Sequence, residues 1–147
     1  MKVLSKDDLE FWNENGYVIV PEAAPRENLQ AVVDAIWHFQ EMDPTDTESW
    51  YRTGGRPNGM PELNGSGMVE MYHHPAMWAN RQLPRIHGAF ADIWGTDKLW
   101  VTIDRVNMNI PNRADREFRG FIHWDIDTSV DPLPFDVQGV LALTDTP

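Results

Sequence analysis

His123 and Asp125 stand two residues apart in the stretch Gly120-Phe-Ile-His-Trp-Asp-Ile-Asp127. On an extended segment such a pair points to one side, because strand side chains alternate with period two. An imidazole and a carboxylate that converge in this way form two-thirds of a facial 2-His-1-carboxylate centre. Such a centre holds non-haem Fe(II) and leaves positions open for co-substrate and O2. The same triplet also occurs as a simple surface or hydrogen-bonded pair, and spacing by itself leaves both readings open. Asp127 extends the row as an outer-shell acceptor or as a solvated carboxylate. No third ligand stands out elsewhere in the 147 residues.

The elements that must position this pair can be read along the chain. Ser5 followed by Asp7 and Asp8 marks a helix start, and Asn15-Gly16 its end. Residues 17–20, Tyr-Val-Ile-Val, predict a short strand. Pro25 opens a second helix over 26–40, with Leu29, Val32, Val33, Ile36 and Trp37 at helical spacing. Residues 43–67 hold Gly54, Gly55, Gly59, Gly65, Gly67 and three prolines, which predicts a long loop or lid. Trp50 and Tyr51 within it either cover a ligand or anchor the loop on the core. A helical pattern over 75–94 is split by Pro84. Strands are expected over 99–110, 118–125 and 137–144, with a proline-rich turn at 131–135.

Composition narrows the function classes. Hydrophobic residues make up 41% of the chain and seven are Trp, enough for one domain with a core spanning 1–147. A net charge of -11 argues against nucleic acid as a partner, since phosphates would go unneutralised. No apolar run is long enough to cross a bilayer, and the first residues lack the apolar centre of a signal peptide. The absence of Cys excludes disulfides and thiolate ligands and fits a reducing cytoplasm.

Three stretches resemble the phytanoyl-CoA dioxygenase family of Fe(II)/2-oxoglutarate-dependent oxygenases. They are Asp8-Leu-Glu-Phe-Trp-Asn-Glu-Asn-Gly-Tyr-Val-Ile-Val20, then Leu99-Trp-Val-Thr-Ile-Asp-Arg-Val106, then Ile122-His-Trp-Asp125 with Gln138-Gly-Val-Leu-Ala-Leu-Thr-Asp-Thr146. The likeness spans nearly the whole chain and is weakest over 43–67. It implies an α+β fold in which N-terminal helices pack on a double-stranded β-helix (jelly-roll) core, incomplete at its C-terminal side. It implies Fe(II) as cofactor, 2-oxoglutarate and O2 as co-substrates, and hydroxylation of a small-molecule substrate.

Position by position, the resemblance makes His123 and Asp125 the first two iron ligands. It places Arg105, Asn107 and Asn109 on a strand flanking the 2-oxoglutarate pocket, with a polar outer sheet face as the equal alternative. Gln138 is a further candidate of the same kind. The family's second iron-binding His and its carboxylate-gripping Arg are expected beyond residue 147. His38, His73, His74 and His87 do not match them, and the 147 residues alone are expected to be inactive or nearly so. Related halogenases replace the carboxylate ligand with a small residue, so Asp125 points to hydroxylation. The competing reading, from another function class, is a catalytically inactive jelly-roll module that binds a small molecule.

Overall fold

The computed structural model describes residues 2–51, 66–115, 117, 120 and 122–145. Its regular structure is mostly helical. In chain order the elements are α1 (Lys6–Asn15), α2 (Arg26–Phe39), α3 (Thr47–Trp50), β1 (Met68–Val69), α4 (Pro75–Arg81), α5 (Pro84–Trp94) and β2 (Val106–Asn107).

The helix ends follow local chemistry. Ser5 caps α1: its Oγ accepts from the Asp8 backbone N–H, and the Asp8 carboxylate accepts from the Ser5 N–H. This reciprocal capping box satisfies two of the donors that a helix start leaves open. Gly16 closes α1 at φ 76°, a left-handed geometry that glycine adopts without strain. Pro84 divides the helical pattern, so that α4 ends at Arg81 and α5 restarts with the proline in its first turn.

The core sits where α2 crosses α4 and the short sheet. Val32, Ala35 and Ile36 of α2 meet Val69, Met71 and Met77, with Phe39, Ala76, Val106, Met108 and Leu143 packed around them. β1 and β2 run antiparallel, with Met68 opposite Asn107 and Val69 opposite Val106. Asp92 on α5 draws in the N-terminal segment by accepting from the backbone N–H groups of Val3 and Leu4 at 2.6 and 2.9 Å. Trp50 packs its ring 5.5 Å from that of Trp37, which anchors α3 on α2.

The expected jelly-roll core is overturned. Among the described residues the sheet consists of β1 and β2 alone, two residues each. Of the expected strand over 99–110 only Val106–Asn107 forms a ladder. Residues 17–20 and 137–144 form none, and neither do 122–125. Residues 118, 119 and 121 of the expected third strand lie outside the described residues, as do 52–65 of the expected lid. The physical reason is that a helix satisfies its backbone locally, whereas a strand needs a second strand alongside it. β-branched and aromatic residues mark a segment fit for a sheet without supplying its neighbour.

Candidate metal site

The segment leading to the pair turns at Gly120, whose φ is 66°. Residues 122–124 belong to no ladder and Asp125 opens a bend, and the side chains of His123 and Asp125 come together there. His123 Nε2 lies 3.1 Å from Asp125 Oδ1, with the two side chains 49% and 53% exposed. This separation bears on metal binding. Two ligands at about 2.1 Å from a first-row metal in adjacent octahedral positions are separated by about 3 Å. The donor types and their spacing therefore fit two neighbouring positions of one metal. Among the described residues no group of three or more His, Cys, Asp or Glu side chains is placed to hold a metal ion.

The second carboxylate oxygen has its own partner. Gln138 Nε2 donates to Asp125 Oδ2 across 2.9 Å. This arrangement leaves Oδ1 to face the imidazole and fixes the rotation of the carboxylate, as an outer-shell donor does for a monodentate ligand. Gln138, expected to flank the co-substrate, is thus a partner of Asp125. The sequence offers only a weak signal for that role: Pro132 and Pro134, which mark a turn between the two segments.

Asp127 acts locally. Its Oδ1 accepts from the Ser129 backbone N–H at 2.9 Å and from Ser129 Oγ at 2.6 Å. The Ser129 hydroxyl, then its N–H, hold the Asp127 carboxyl below the usual carboxylate range. Asp127 thereby stabilises the turn that follows the pair.

Arg105 and Asn107 make their described contacts elsewhere. The Arg105 Nε pairs with Asp104 Oδ1 at 3.3 Å, and its guanidinium lies 6.0 Å from the Tyr72 ring centre. Asn107 lies on β2 opposite Met68. A Cβ at Gly67, where φ is 78°, would collide with the side-chain oxygens of Asn107 and Asn109 and with the Met108 carbonyl. The two asparagines therefore close over Gly67, where a side chain would be strained and would displace them. His74 caps α4 by accepting from the Ala76 N–H at Nδ1, and the ring of His73 stacks on that of Trp78.

The loop aromatics serve as anchors. The Tyr51 hydroxyl donates to the Pro111 carbonyl at 2.8 Å, and Arg113 lies 3.4 Å above the Tyr51 ring. Arg113 also pairs bidentately with Glu48 at 2.8 and 3.2 Å. The guanidinium holds the Glu48 carboxyl below its usual range. No helix among the described residues is long and apolar enough to cross a membrane.

Comparison with known proteins gives one informative likeness. The chain is 33% identical over 139 residues to "Ava biosynthesis cluster protein O" of Aspergillus versicolor, an alignment that covers 90% of this chain and 43% of that protein. The chain thus spans less than half the length of the curated relative it matches. No family model matches the chain, and no solved structure matches it.

Proposed function

We propose that His123 and Asp125 are two ligands of a non-haem Fe(II) centre in a 2-oxoglutarate-dependent dioxygenase that hydroxylates a small molecule. The observation that carries this reading is the 3.1 Å approach of His123 Nε2 to Asp125 Oδ1, with the other carboxylate oxygen held by Gln138. The matching stretches around residues 8–20, 99–106, 122–125 and 138–146 support it. So does the relative, whose printed name places it in a biosynthesis cluster. In this reading the second His and the 2-oxoglutarate-gripping Arg come from sequence outside the 147 residues, and the longer protein is the active species. A reducing, cytoplasmic setting belongs to the same proposal and suits a chain without Cys.

The chain's own residues contribute binding and orientation. His123 presents Nε2 and Asp125 presents Oδ1 to one point, while Gln138 keeps the carboxylate from rotating. Bound iron would supply the oxygen-activating chemistry that side chains lack. Trp124, between the two ligands and largely exposed, supplies an apolar flank to the site. Asp125 as a carboxylate favours hydroxyl transfer over halide transfer.

The test is anaerobic calorimetry with Fe(II), or with Mn(II) as a redox-silent substitute. Two ligands give weak binding, since each further ligand adds affinity and fixes geometry. Loss of that binding in both His123→Ala and Asp125→Ala supports the reading, and tight binding that survives both substitutions overturns it. A longer gene product that releases no succinate from 2-oxoglutarate, yet still binds a small molecule, would identify a binding module instead.

A further inference from the structure

We draw no further inference here: the strongest candidate, the exposed apolar surface of the run 137–144 at Val140, carries nothing because nothing in the structure shows what covers it.

Discussion

Gln138 Nε2 donates to Asp125 Oδ2 at 2.9 Å, and this bond joins the two segments on either side of the proline-rich stretch 131–135. It gives one ligand candidate a fixed orientation that neither segment has by itself. Outer-shell partners of metal ligands contribute about 10–100-fold in affinity, and a half-exposed site belongs at the lower end. Gln138→Ala should therefore weaken Mn(II) binding about tenfold. Gln138→Glu should alter its pH dependence by placing a second carboxylate against the first. Calorimetry across pH 6–8 checks both. Unchanged binding in both variants would confine Gln138 to a packing role.

His123→Ala and Asp125→Ala should each abolish metal binding without unfolding the helices. Both side chains are about half exposed and lie apart from the α2–α4 core. The check is calorimetry together with thermal melting, and a large drop in melting temperature for either variant would reveal a structural role.

The Asp92 carboxyl is held below its ordinary value of 3.8 chiefly by the Leu4 backbone N–H, with further help from the Val3 N–H and the charges on Lys2 and the N-terminus. A carboxylate with a depressed folded pKa stabilises the fold fully above its ordinary value. That contribution is lost as pH falls through the folded value. Acidification below 3.8 should therefore release residues 2–5 before the rest of the fold. Amide exchange at Val3 and Leu4 reads this release, and Asp92→Asn should remove its pH dependence. Protection at these amides that persists in acid would contradict it.

Ile36 lies at the centre of the α2–α4 contact and is 6% exposed. Ile36→Ala removes three buried carbons and leaves a cavity, at a cost of about 2–5 kcal/mol. Urea melts followed by circular dichroism measure the loss. A cost below about 1 kcal/mol would mean that the core collapses around the gap.

The sequence by itself determined what is local. Ser5 with Asp8, the pair Asn15-Gly16, Pro25 and the break at Pro84 fix where α1, α2, α4 and α5 begin or end, because the hydrogen bonds concerned join residues at most four apart. The approach of His123 to Asp125, two residues apart, is local in the same sense. Tertiary structure decided everything that depends on a distant neighbour. Residues 99–110 and 137–144 have strand composition, yet among the described residues only Val106–Asn107 finds a ladder partner, in Met68–Val69. The jelly-roll expectation failed for that reason, since a sheet exists only where separate segments meet. The placement of Gln138 on Asp125, of Asn107 and Asn109 over Gly67, and of Arg113 on Tyr51 and Glu48 likewise follows from chain reversals that bring together residues far apart in sequence.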